Sequence, residues 1–177
     1  MGDGFKVTLD LTQINVALDA LDGPIKQSLA RRMLVEAGVF TRDKVKFASI
    51  LSELPYRGPY NPISRGSHQP GTLAESIYLV FDKEGSSDKI VTYKVSWSDK
   101  KAWWGKLLEF GYIRTHKVYV GADGNWYTTK TLLDRPIPMP PRPFLGPTFD
   151  AYGEVAIKMA IERGRRELPL LLAEIKQ

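Results

Sequence analysis

An α+β fold with antiparallel strands is predicted, and three observations predict it. Two long stretches carry apolar residues at helical spacing, about 24–51 and from Pro147 onward. Between them, Ser76–Phe81 and Lys89–Trp97 are rich in β-branched and aromatic residues, with Glu84–Asp88 as the turn between them. Six of the twelve prolines then crowd into Arg135–Pro147, a segment that must be extended. The expected architecture is an antiparallel sheet of about four strands, with the long helix and the C-terminal helix packed on one face. Extended loop or hairpin arms fall at about 55–70 and 114–147.

Taken in order, Phe5–Leu11 alternates apolar and polar residues, the period of a half-buried strand. Thr12 caps a short helix carrying Ile14, Val16, Leu18 and Leu21, which Asp22-Gly23 ends. Pro24 suits the first turn of the long helix. On that helix Ile25, Leu29, Met33, Ala37, Phe40, Phe47 and Leu51 share one side, and Lys44 interrupts the stripe, so the last third is expected to leave the core or kink.

Pro55–Pro70 is a long loop in which Tyr56, Arg57, Tyr60, Arg65 and His68 sit among prolines and glycines, and loops of this length in compact domains tend to be functional. In the second strand Val91, Tyr93, Val95 and Trp97 face the core. Ala102–Phe110 reads as a short helix closed by Gly111. Lys117–Val120 and Trp126–Thr129 flank Gly121–Asn125 as a hairpin. The last helix should break or bend at Gly164 and Pro169.

A chain of 177 residues with 43% hydrophobic content makes one domain, 1–177, and buries a real core. It contains no cysteine, which excludes disulfide scaffolds, thiol catalysis and thiolate metal sites. No apolar run reaches the roughly 18 residues of a membrane span. The first residues lack the basic start and apolar block of a secretory signal. Lys6 stands where myristoylation needs Ser or Thr. The formal charge of +5 is modest, but the long helix concentrates it: Lys26, Arg31, Arg32, Arg42, Lys44 and Lys46 oppose only Glu36 and Asp43. Arg31, Arg42 and Lys46 fall opposite the apolar side, a solvated face or a surface for phosphates.

Chemistry finds little purchase. His68 and His116 stand far apart without neighbouring carboxylates, so no metal site is expected, and no nucleophile elbow or phosphate-cradling glycine loop occurs. The expectation is a non-enzyme without cofactor. Glu109 is the one acid in a distinctive context, and its plainest role is to bond local backbone or an arginine of a neighbour. Trp103 and Trp104 point about 100° apart on a helix, so one of them is expected at the surface. Together with Tyr112 and Trp126 they are the candidate subunit interface.

Three short motifs recur in fixed order: Gly71, Leu73, Ser76 and Ile77; then Glu109, Phe110 and Gly111; then Arg142, Pro143, Phe144, Leu145 and Pro147. This order resembles the HK-ninety-seven gene-product-ten-like family of tailed-phage proteins over about residues 12–175. Tyr112 stands where that family often has threonine, and 117–133 is longer than usual. The resemblance implies a structural virion component at the head–tail junction, a tail-completion or neck subunit made in the host cytoplasm. It would assemble with itself into a ring, a hexamer or alternatively a twelvefold one, between head-completion or connector and tail-terminator or tail-tube proteins. DNA in the channel would meet Arg31, Arg42 and Lys46 through phosphates only. The alternatives are a tail terminator capping the tube and, from another class, a nucleic-acid-binding module using the basic helix face.

Overall fold

The computed structural model describes residues 5–10, 23–49, 69–122, 124 and 126–175. The short helix expected at 12–21 and nearly all of the 55–70 loop, His68 included, lie outside the described residues.

Helix α1, Gly23–Ala48, organises the molecule. Strands β1 (Phe5–Asp10), β2 (Ile77–Phe81) and β3 (Ile90–Trp97) form one antiparallel sheet in the order β1-β3-β2. A turn of helix α2, Thr72–Ser76, leads into β2. Two short helices follow β3, α3 (Asp99–Ala102) and α4 (Gly105–Phe110). Strands β4 (Tyr112–Val120) and β5 (Trp126–Met139) make a separate two-stranded ribbon, and α5, Gly146–Ile175, closes the described chain. The class is α+β as expected, but the strands divide into sheets of three and two. Among the described residues no helix is long and apolar enough to cross a membrane.

α1 carries two buried stripes where the sequence showed one. Leu29, Met33 and Ala37 meet Ala156, Ala160 and Leu171 of α5, with Ile25 and Phe40 partly buried beside them. About 120° around the helix, Ala30 and Leu34 pack with Val91 beneath the sheet, and Val45 is fully buried. α1 is thus a middle layer, and α5 packs along α1 instead of on the sheet itself. Thr41 is tolerated in this core because its hydroxyl donates to the Ala37 carbonyl at 2.9 Å. The C-terminal third of α1 stays in the core: Lys44 Nζ lies over the rings of Phe40 and Tyr152, at 5.5 and 5.0 Å. Phe47 departs from expectation and is 90% exposed, because packing against α5 runs out past Lys44.

Neither expected break interrupts α5. Gly164 is a crossing point: a Cβ there would lie 2.8 Å from Met33 Sδ, so its lack of a side chain lets the two helices approach. Pro169 sits inside the helix with its ring exposed, while Leu168, Leu171 and Leu172 pack toward α1. On β3 the Val91, Val95 and Trp97 face is buried, but so is Thr92 on the opposite face. The β2–β3 turn folds over it, since Thr92 Oγ1 donates to the Gly85 carbonyl at 2.7 Å and Thr92 N–H donates to Ser86 Oγ at 3.0 Å.

Ion pairs lace the antiparallel α1–α5 seam. Arg32 meets Glu167 at 2.7 Å, Arg163 meets Glu167 at 2.7 Å and Glu36 at 3.4 Å, and Arg166 meets Glu36 at 3.1 Å. The Arg32 hydrogen bond holds the Glu167 carboxyl below its ordinary range; partial burial opposes this, and the fields of Arg163, Arg32 and Arg166 assist it. A carboxylate made more acidic by folding favours the fold in its ionised form. Its contribution is complete above the ordinary glutamate range and fades as pH falls through the lowered value. Denaturant midpoints measured from pH 7 down to pH 3 should therefore fall on the acid side, and Glu167→Gln should flatten part of that fall. A parallel pair of curves would contradict it.

Candidate functional site

The three sequence motifs meet at one joint. Gly71 begins the first, holding φ at +85° where side chains are strained, so that the chain can turn into α2. Leu73 and Ile77 are buried, and Ser76 Oγ donates to the Leu73 carbonyl at 2.7 Å, satisfying a buried hydroxyl at the helix-to-strand change. Leu73 and Ile77 join Val45, Val95, Trp97 and Ala102 in one core cluster with Phe144 and Leu145 of the third motif. Within it the rings of Trp97 and Phe144 meet edge to face at 5.7 Å.

Glu109 binds the second motif to the third. It is 6% exposed. Its Oε2 accepts from the backbone N–H groups of Phe144 at 2.8 Å and Leu145 at 3.0 Å, and its Oε1 accepts from Gly146 N–H at 3.0 Å. Those donors lie at the start of α5, where unpaired N–H groups and the helix dipole attract a negative charge. A carboxylate from a distant segment therefore takes the place of a local cap, while Thr148 Oγ1 donates to the Phe144 carbonyl at 2.6 Å. A second tie runs from Arg142 N–H to the Leu108 carbonyl at 2.7 Å.

Gly111 completes the joint. Its φ of +75° carries a ψ of 173°, an extended left-side conformation and not the left-handed helix cap that the sequence implied. The chain turns there from α4 into β4. A Cβ at this point would lie 2.8 Å from the Met139 carbonyl oxygen and 3.0 Å from Pro141 N. Tyr112 pairs with Met139 and Ile113 with Pro138, so the arm's two strands leave the body together.

The paired strands run further than the hairpin of 117–129 that the sequence implied, and fill much of the arm expected at 114–147. β5 runs through the first of the prolines, and register shifts on either side of His116 absorb its extra residues. Both strands are edges, which is where prolines without a donor fit. Among the described residues the ribbon makes no more than slight contact with any other element. Along β4, Ile113, Thr115, Lys117 and Tyr119 alternate onto one face and are all exposed. Ile113 is 68% exposed, and Tyr119 stacks on Tyr127 at 5.4 Å between ring centres.

The candidate interface residues fall differently from expectation. Trp103 and Trp104 both sit half-buried in the turn between α3 and α4, edge to face at 6.3 Å, and Trp104 packs on the motif cluster. Both residues keep right-handed helical φ and ψ through the turn, and each is partly covered there. Tyr112 is exposed, as is Phe110 of the Glu-Phe-Gly motif. Trp126 opens β5, and its side chain lies outside the described residues. The exposed arm residue Ile113 was missed because the strand was expected to begin only at Lys117; Tyr119 lay inside the expected strand and was not singled out. The alternation from Ile113 to Tyr119 was the available signal.

Arg31, Arg42 and Lys46 share a helix but do not form a site. Arg31 lies 4.5 Å over the Phe81 ring, Arg42 pairs with its neighbour Asp43 at 2.7 Å, and Lys46 is half-buried. From Arg31 to Lys46 the helix rises about 22 Å. His116 Nδ1 lies 2.9 Å from Thr115 Oγ1, and among the described residues no three His, Asp or Glu side chains gather as metal ligands would. With this geometry in place, comparison with family models, curated proteins and solved structures gives no match.

Proposed function

We propose that the chain is a structural subunit of a tailed-phage virion, a tail-completion or neck protein that closes a homo-oligomeric ring at the head–tail junction. The observation that carries this reading is the joint. Three motifs distant in sequence tie the root of an otherwise unsupported ribbon to the first turn of α5. A subunit that repeats by rotation needs such a part: a stiff base, and an arm with uncovered apolar groups that finds its burial on a neighbour. A two-stranded ribbon alone is marginal in water, so an arm of this length gains stability when something covers it.

The role of Glu109 fits a scaffold. Its oxygens hold three backbone donors, which leaves proton transfer to other groups. The nucleic-acid module draws less support, because Arg31 and Arg42 are already engaged by Phe81 and Asp43. Contact with channel DNA through phosphates remains compatible with the ring. Head-completion or connector proteins on one side, and tail-terminator or tail-tube proteins on the other, are the neighbours this position supplies.

A nonsense mutation in this gene tests the role. Grown without a suppressor, the phage should yield DNA-filled heads and finished tails that stay separate under the electron microscope. Joined, infectious particles would overturn the proposal.

A further inference from the structure

We propose that the exposed face of the β4–β5 arm docks on the outer strip of α5 in a second copy of this chain. This deepens the assembly reading above and rests on its claim that subunits repeat head to tail.

The arm face presents Ile113, Lys117 and Tyr119 from β4, with Pro138 and Tyr127 across from Ile113 and Tyr119. On this face Lys117 is the one charged residue that β4 supplies, Arg114 alternating to the other side. On α5, Asp150, Glu154, Ile157 and Ile161 follow one another at spacings of four, three and four, which places them on one helical face. All four are exposed, Ile157 at 56% and Ile161 at 40%. One surface is therefore apolar and basic, the other apolar and acidic.

Their dimensions agree as well. The six residue steps of strand from Ile113 to Tyr119 span about 20 Å, and the eleven steps of helix from Asp150 to Ile161 rise about 16 Å. Seating Lys117 against Glu154 brings the stacked Tyr119 and Tyr127 rings toward Ile157 and Ile161. The arm makes no more than slight contact with its own α5. The two patches differ, so the contact is heterologous and propagates from copy to copy, where a shared patch would stop at a two-fold pair. Complementary charge fixes the register and the apolar groups supply the burial.

The absence of cysteine makes the test direct. Lys117→Cys and Glu154→Cys chains are purified separately, mixed, and treated with a short bismaleimide. The mixture should give a covalent dimer on a denaturing gel, each variant alone should stay monomeric, and the double variant should give a ladder. A second arm checks the chemistry: Lys117→Glu should cut the cross-linking yield between other engineered cysteines, Thr115→Cys and Lys158→Cys, about tenfold, and Glu154→Lys on the opposite chain should restore it. Circular dichroism of each variant confirms that the fold is kept. Absence of a cross-link in the mixture, self-linking of either single variant, or linkage within one chain of the double variant would each overturn the docking. The reagent reads contact in solution and the nonsense phage reads a place in the particle, so either can fail alone.

Discussion

Replacing Glu109 by alanine is expected to destabilise the protein by about 3 kcal/mol or more, because it strips three backbone N–H groups of their acceptor at a buried helix end. For a chain of this size that corresponds to a fall in Tm of roughly 6–12 °C. Glu109→Gln separates shape from charge. Its carbonyl oxygen can still serve Phe144 and Leu145, but the amide then faces Gly146 N–H donor to donor. The glutamine variant should lie between wild type and alanine. Thermal melts followed by circular dichroism measure both. Limited proteolysis of Glu109→Ala should also open the chain at 139–146, the segment the carboxylate fastens. A Glu109→Ala protein that melts with wild type would remove the joint from the account.

Gly111→Ala should cost about as much, and for a different reason. The conformation at φ +75° and ψ 173° is essentially reserved for glycine, worth about 1–3 kcal/mol of strain for any other residue. The added methyl would also press on the Met139 carbonyl and Pro141 N, backbone atoms that cannot swing aside as a side chain does. Gly124→Ala supplies the control. It too has φ of +75°, but a Cβ there meets nothing within 4 Å, so it carries the conformational strain without the clash. The excess loss in Gly111→Ala over Gly124→Ala, read from chemical denaturation, reports the extended ψ of 173° at Gly111 together with the packing of the arm's root. Equal losses would mean that the root yields.

Much of the fold was legible where a single period dominates. The alternation of β3 and the apolar repeat of α1 located both elements to within a few residues. The second buried stripe of α1 was legible only in part: Leu34 and Val45 are apolar and were passed over, while Ala30, Gly38 and Thr41 carry little hydropathy and are buried by being small or internally bonded. Gly164 and Pro169 resemble helix breakers from sequence alone. In the fold one is the gap that admits Met33 and the other turns its ring to solvent, and neither property has a local signature.

The site was legible in part. Glu109 was expected to bond local backbone or an arginine of a neighbour; it bonds backbone instead thirty-five residues away, which nothing in the sequence indicated. The order of the motifs was visible and their convergence was not, since convergence depends on how α4 and α5 are brought together around Trp97 and Phe144. Trp103 and Trp104 were expected to divide between core and surface, and both are half-buried instead. The prolines of 136–138 hid a strand, because proline argues against central strands while a two-stranded ribbon has only edges.

Cryo-electron microscopy of the particle tests the whole account most directly. A closed ring of this chain at the collar, each arm lying along α5 of the next subunit and each Glu109 at the root of its arm, is the expected density. A collar built without this chain, or this chain placed elsewhere in the particle, would contradict it.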